Sequence, residues 1–189
     1  MASSKWRELF LILLLSCPFI FWGVGATSLL DPDEGMYGAI AREMAEKGDW
    51  ITPHFDGVRY LEKPPLYFWL TALTISLVGP SEWAGRLWSA LPALGTALLI
   101  WGLGRLLYGG PSGLLSAIIL LTSAGVFRYT RVAATDSLLV FSLTLSLYGF
   151  VRIMLSQSSI VNGQWSGPML LYLGMALGVL SKGLIGVVF

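Results

Sequence analysis

Six stretches of this chain carry no Asp, Glu, Lys or Arg: residues 9–30, 66–79, 87–104, 106–127, 137–151 and 167–180. A helix rises 1.5 Å per residue, so about twenty apolar residues cover the roughly 30 Å hydrocarbon layer of a bilayer. Most of these stretches reach or approach that length. The composition agrees, with 55% hydrophobic and 12% charged residues and a mean hydropathy of +0.71, where soluble domains carry about 25% charged residues. These values exclude a soluble globule. A net charge of +1 leaves no basic field for nucleic acid. The single cysteine, Cys17, has no partner in the chain, so disulfides play no part in the fold. The expected fold class is therefore all-α, a polytopic transmembrane helical bundle.

The first stretch, residues 9–30, exceeds the roughly 7–15 residues of a signal-peptide core. It reads as an uncleaved membrane helix that Pro18 kinks without stopping, and Lys5 and Arg7 place its start on the cytoplasmic side. A polar stretch, residues 31–63, follows and holds eight of the eleven acids. In it Asp33 is expected to cap a helix over residues 35–47, with Met36, Ile40 and Met44 on one face lying on the membrane surface. Gly48-Asp49 ends that helix, and residues 50–60 read as irregular loop with interfacial aromatic anchors. Residues 66–79, bracketed by Pro64-Pro65 and Gly79-Pro80, are too short for a comfortable span and read as interfacial or re-entrant. If they do not cross, Arg105 and Arg152 join Lys5 and Arg7 on the cytoplasmic side, while Glu82, Arg128, Arg131 and Asp136 join the acidic loop outside. The expected organisation over residues 1–189 is thus a first membrane helix (1–30), an extracytoplasmic loop with surface helices (31–80) and further membrane helices (81–189). The chain stops at Phe189 inside an apolar run, Gly183 onward, and so reads as truncated.

Against this apolar background the ionisable residues stand out. Asp31-Pro32-Asp33-Glu34 places three carboxylates in four residues. Such a group can bind a divalent cation through oxygen, raise one member's pKa until it serves as a general base, or simply form a solvated helix cap. Glu62-Lys63-Pro64-Pro65 holds Lys63 in a stiff setting that suits a phosphate headgroup, although an ordinary snorkelling lysine would look the same. Asp136 lies near Arg128 and Arg131 at the edge of an apolar run, where a carboxylate costs roughly 2.5 kcal/mol or more unless it is paired or faces water. It is either a functional group or half of an ion pair with one of those arginines. Lys182 is a second candidate cation for an anionic headgroup or a plain helix-end lysine. His54, the only histidine, has no imidazole or thiol partner nearby, and no zinc site is expected from it.

Several of these residues form one ordered pattern: Asp33-Glu34; residues 37–50 ending in Glu46-Lys47-Gly48-Asp49-Trp50; Tyr60-Leu61-Glu62-Lys63-Pro64-Pro65-Leu66; Ala134-Thr135-Asp136-Ser137; and Leu180-Ser181-Lys182-Gly183. In this order they resemble the N-terminal part of the integral-membrane C-type glycosyltransferases, in the branch of the aminoarabinose lipid A transferases and the protein O-mannosyltransferases. The resemblance covers nearly the whole chain, and Glu-Lys-Pro-Pro is its most distinctive element. It implies a GT-C-type fold, a polyprenyl-phosphate-linked sugar donor, a lipid or protein acceptor, and a cavity open to lipid and to the extracytoplasmic side of a bacterial inner membrane. By motif, Asp33 and Asp136 match the family's two essential carboxylates, and Lys63 matches the lysine that holds the carrier phosphate. Tyr37 and Tyr60 match cavity-lining tyrosines. Glu62 matches a residue associated with a divalent metal in one branch. Glu34, Arg128 and Arg131 are the further candidates for substrate contact. The rival functional class is a transporter or flippase for an anionic or lipid-linked substrate, although neither the inverted repeats nor the broken helices common there are evident. A third reading is a structural membrane segment whose charges only pair.

Overall fold

The computed structural model describes residues 2–29, 32–155 and 165–188, and most of them are helical, with one small hairpin. Helix α1 (Ala2–Ser16) runs into a π-helical turn (Cys17–Phe21). Pro18 has no N–H to give to the regular ladder, and the chain accommodates it by widening, with Trp22 N–H reaching back to the Cys17 carbonyl at 3.0 Å. Gly23 then turns the chain at φ +76°. The expected continuous helix over residues 9–30 therefore ends at Phe21, and the segment up to Leu29 is irregular.

Helix α2 (Asp33–Lys47) starts two residues earlier than expected. Pro32 occupies the cap position, no side chain caps the helix, and Asp33 is its first residue instead of its cap. Gly48 closes it at φ +70° in a left-handed turn. Its buried face is Glu34, Tyr37, Ile40, Ala41 and Met44, and this face packs on helix α3 (Leu66–Val78) through aromatic edges. Ring centroids lie 5.8 Å apart for Tyr37 and Phe68, and 5.9 Å apart for Tyr60 and Phe68. The apolar face expected to lie in lipid is thus covered by protein. Between α2 and α3, the stretch expected to be irregular holds strands β1 (His54–Phe55) and β2 (Val58–Arg59), paired antiparallel. Their two-residue turn is Asp56-Gly57, with φ of +51° and +79°, the Asp-Gly signature of a tight hairpin.

Helix α4 (Glu82–Tyr108) extends past the uncharged run at both ends, because Ser81 caps it through the Ala84 N–H and the break comes only at Gly109. Pro111 and the Gly109-Gly110 turn start α5 (Gly110–Leu121), and Ser123 caps a separate short helix α6 (Ala124–Tyr129). Residues 106–127, a single uncharged run in the sequence, are therefore the end of α4, α5 and most of α6. Helices α7 (Asp136–Leu155), α8 (Ser166–Lys182) and α9 (Ile185–Val188) complete the chain. Among the described residues, α4 and α7 are long and apolar enough to cross a membrane, while α3 and α5 are shorter apolar helices.

Helices α7 and α8 make the most extensive contact, backbone to backbone at glycines. A Cβ on Gly149 would press on the backbone of Leu171 and Gly167, and one on Gly174 on the backbone of Ser142 and Ser146. Charged pairs then fix the two ends of α4. Near its start, Arg86 meets Glu34 of α2; near its end, Arg105 and Trp101 meet Glu8 of α1, with Trp101 Nε1 donating to Glu8 Oε2 at 2.9 Å. The two arginines are separated along α4 by roughly 28 Å of helix, close to the thickness of the hydrocarbon layer. Helix α3 does not span that distance. Its second residue, Tyr67, donates to the carbonyl of Gly85 at 2.6 Å, so the starts of α3 and α4 lie at one level.

Because Gly149 meets backbone, Gly149→Val has nowhere to move and should lower stability by about 1–3 kcal/mol. Thermal unfolding in detergent should show a clearly lower midpoint, whereas Gly48→Ala, with open space around its Cβ, should cost only the strain of a left-handed turn.

Candidate active site

The site is assembled around a buried ion pair. Arg86 and Glu34 are 1% and 3% exposed, and the guanidinium forks onto the carboxylate, Nε to Oε1 at 2.9 Å and Nη2 to Oε2 at 3.0 Å. The other guanidinium hydrogens go to the carbonyls of Val24, Thr27 and Ser28 at 2.7–3.0 Å and to the Thr27 hydroxyl at 3.2 Å. Glu34 Oε1 in turn accepts the Ala133 N–H at 2.5 Å. Next to it, Ala134 N–H donates to Ser89 Oγ, at 3.2 Å. The segment before α7 is thereby pinned to α4, and α2 begins against both. Glu34 was expected to contact substrate; its carboxylate is instead turned inward and engaged by protein. Successive helical residues point about 100° apart, so its neighbour Asp33 is free to face outward, and it is exposed.

Asp136, the first residue of α7, forms its ion pair with Lys182 at the end of α8, 2.5 Å from Oδ1 to Nζ. The alternative pairing with Arg128 or Arg131 is not made. Arg131 is committed elsewhere: it donates to the carbonyls of Phe19 and Trp22 at 3.1 and 2.6 Å, closing the open end of the π-helical turn, and it stacks on Phe127. Its guanidinium thus caps the carbonyls at the end of that turn. Arg128 is exposed on α6. Lys182, read as an isolated cation, is the partner of Asp136, with both side chains partly exposed at 32% and 45%.

Two phenols feel the charges of Asp33 and Glu62, and one of them, Tyr37, that of Asp136 as well. Burial raises the pKa of Tyr37 above the ordinary tyrosine range, and the negative charges of Asp33, Asp136 and Glu62 raise it further, against a hydrogen bond with Tyr60. Tyr60 is pushed up to about 12, first by burial, then by Tyr37 and Glu62. Both therefore stay protonated at physiological pH and keep an O–H to donate. Lys63 is half-buried beside Glu62, just ahead of Pro65, which caps α3. An apolar cavity of about 250 Å³, lined by Ala93, Thr96, Leu120, Val126, Tyr129 and Val140, opens directly onto Asp136. A second apolar cavity of about 300 Å³, bounded by Leu66, Leu70, Trp88, Leu138, Phe141 and Leu177, lies between α3, α4, α7 and α8. Among the described residues no three His, Cys, Asp or Glu side chains gather as metal ligands. His54 sits 3.8 Å from Asp49 in the hairpin.

Carboxylates, a lysine and tyrosine hydroxyls thus gather at one end of an apolar helical bundle, with apolar cavities beside them. The comparisons name the family. A sequence model of the dolichyl-phosphate-mannose-protein mannosyltransferase family matches residues 27–189, and the chain belongs to that family. It is 36% identical over 156 residues to the undecaprenyl phosphate-alpha-4-amino-4-deoxy-L-arabinose arabinosyl transferase of Edwardsiella ictaluri, covering 82% of this chain and 28% of that one. The enzyme of the same name from Aeromonas salmonicida is 29% identical over 187 residues, 98% of this chain and 33% of its own. Two crystal structures of ArnT from Cupriavidus metallidurans superpose with a TM-score of 0.88 at 26% identity, one apo and one bound to undecaprenyl phosphate. They cover 99% and 98% of this chain, and the match takes in 34% of each of them. The fold is thus the all-α helical fold of the C-type glycosyltransferases. The chain spans about a third of the length of the relatives it matches.

The Arg86–Glu34 pair has a measurable energetic signature. Arg86→Met strands a buried carboxylate and should cost about 3–5 kcal/mol, whereas Arg86→Met with Glu34→Gln, which keeps an acceptor for Ala133, should recover at least half of that loss. Unfolding midpoints of the wild type, both single variants and the double variant check this.

Proposed function

We infer that this chain carries the catalytic carboxylates of a membrane glycosyltransferase, which moves a sugar from a polyprenyl phosphate to a lipid acceptor outside the cytoplasm. The single observation that carries the reading is that Asp33 and Asp136 stand at the first turns of two helices, α2 and α7, whose starts meet where Glu34 Oε1 accepts the Ala133 N–H, about a hundred residues apart in the chain. The names of its relatives supply the substrate class: undecaprenyl phosphate as carrier, with 4-amino-4-deoxy-L-arabinose as the sugar of the arabinosyl transferases. A protein acceptor is the alternative within the same chemistry, as in the mannosyltransferase family name.

In this reading the acceptor oxygen forms a bond to the anomeric carbon while the bond from that carbon to the phosphate oxygen breaks. The polyprenyl phosphate departs with the bonding pair, and its growing negative charge is met by the Lys63 ammonium in a low-dielectric setting. An acceptor hydroxyl loses its proton to Asp33, whereas a phosphate acceptor, already ionised, needs no base and Asp33 then orients it. Asp136, held by Lys182, faces the positive charge that develops on the sugar ring. Tyr37 and Tyr60, both protonated, donate hydrogen bonds to substrate oxygens, and exposed Arg128 is a further contact for phosphate.

The same levels support a membrane arrangement within this reading. Lys5, Arg7, Glu8 and Arg105 mark the cytoplasmic end, and Asp33, Lys63, Arg86 and Asp136 the extracytoplasmic end, with α2, the hairpin and α3 forming the first outer loop.

Asp33→Asn and Asp136→Asn, made separately in the full-length protein, should each lower transfer from a labelled undecaprenyl-phosphate sugar by about 10²-fold or more, with membrane abundance unchanged. Normal turnover in both would defeat the assignment. Uptake of a tracer by vesicles lacking any lipid-linked donor would favour transport instead.

A further inference from the structure

The pair Arg86–Glu34 sits beside the candidate carboxylates without belonging to them. Burying two charges is costly, and an apolar pair of similar volume commonly gives equal stability. Stability alone is therefore a weak reason for an ion pair here. What an apolar pair cannot reproduce is geometry. The guanidinium is a rigid planar fork whose donors leave at fixed angles, and in this chain they reach two oxygens of Glu34, three backbone carbonyls of residues 24–28 and the Thr27 hydroxyl.

The consequence runs outward in both directions. Glu34 is one residue from Asp33, so fixing its carboxylate fixes the first turn of α2. The same carboxylate oxygen that accepts from Arg86 Nε also accepts the Ala133 N–H, three residues before Asp136. One oxygen atom thus sets where α2 begins and where α7 begins. No other hydrogen bond among those described joins these two starts directly. A misplacement of about 1 Å at a reacting centre costs on the order of 10²-fold in rate, so the rigidity has a chemical use.

We propose that Arg86 is a positioning residue of the transfer reaction: acting through Glu34, it sets the separation of the Asp33 and Asp136 carboxylates. This deepens the glycosyltransferase reading and rests on it. Arg86, at 1% exposure, touches no substrate and carries no proton in the reaction. Its loss therefore acts on the turnover step more than on binding.

The test uses the full-length protein in lipid vesicles, with Arg86→Lys and the double variant Arg86→Met/Glu34→Gln. Arg86→Lys keeps the charge but loses the fork. The double variant removes the buried charges and keeps an acceptor for Ala133. For folded protein, both should lower kcat by about 10²-fold, with KM for the undecaprenyl-phosphate sugar changed by less than about threefold. Wild-type kcat per folded molecule in either variant overturns the proposal, because a purely structural pair affects only how much protein folds. A second measurement does not need the reaction at all. Spin labels at Arg42 on α2 and Leu147 on α7, both exposed, should give one narrow distance in the otherwise unchanged protein and a broadened or shifted distribution in the double variant. An unchanged distribution overturns the positioning role by itself. Failure of the functional reading shows separately, as labelled protein with an intact distance response whose Asp33→Asn and Asp136→Asn variants still transfer sugar normally.

Discussion

A guanidinium buried in an apolar bundle must find an acceptor for each of its hydrogens, and the arrangement that satisfies Arg86 is what brings the rest of the site together. The irregular segment after the π-helical turn lends its carbonyls, α2 lends Glu34, and Glu34 also takes the N–H of Ala133. Each of these groups would be costly to leave unpaired. The first turn of α2 and the approach to α7 are therefore held at one level, and Asp33 and Asp136 come with them. Lys182 completes the set from the end of α8, more than forty residues further along the chain.

The same logic divides the molecule into two ends with an apolar middle. The pairs at Arg86 and Arg105 terminate a length of α4 close to the hydrocarbon thickness, and between them the packing depends on small residues that let helix backbones approach. Helix α3 is too short to join the two ends, and Tyr67 ties its start to the start of α4. Its aromatic face instead builds the floor under Tyr37 and Tyr60. The apolar cavities beside Asp136 and behind Leu66 adjoin this polar end.

Much of this was legible in the residues. Uncharged runs located α4, α7 and α8, and the motif order singled out Asp33, Lys63 and Asp136. What escaped has physical causes. Pro18 was expected only to kink its helix, because a sequence does not show that a nearby arginine will cap the exposed carbonyls of a π-helical turn. The hairpin had its signal in Asp56-Gly57 but has strands of two residues, too short for alternation to register. Glu34 and Asp33 look alike as neighbours, and only the helical rotation between them separates an inward carboxylate from an outward one. Arg86 stood just before an apolar run, where a flanking cation is unremarked, and its partners lie more than fifty residues away. Lys182 and Asp136 likewise met only through the packing of α8 on α7.

The central claim is that Asp33 and Asp136 face one cavity on the outer side of the membrane. Single cysteines at positions 33 and 136, in a cysteine-free background, can be exposed to a membrane-impermeant maleimide in sealed right-side-out vesicles. Both should label without permeabilisation, and both should be protected by undecaprenyl phosphate. Labelling of one from outside and of the other only after the membrane is opened would contradict the account.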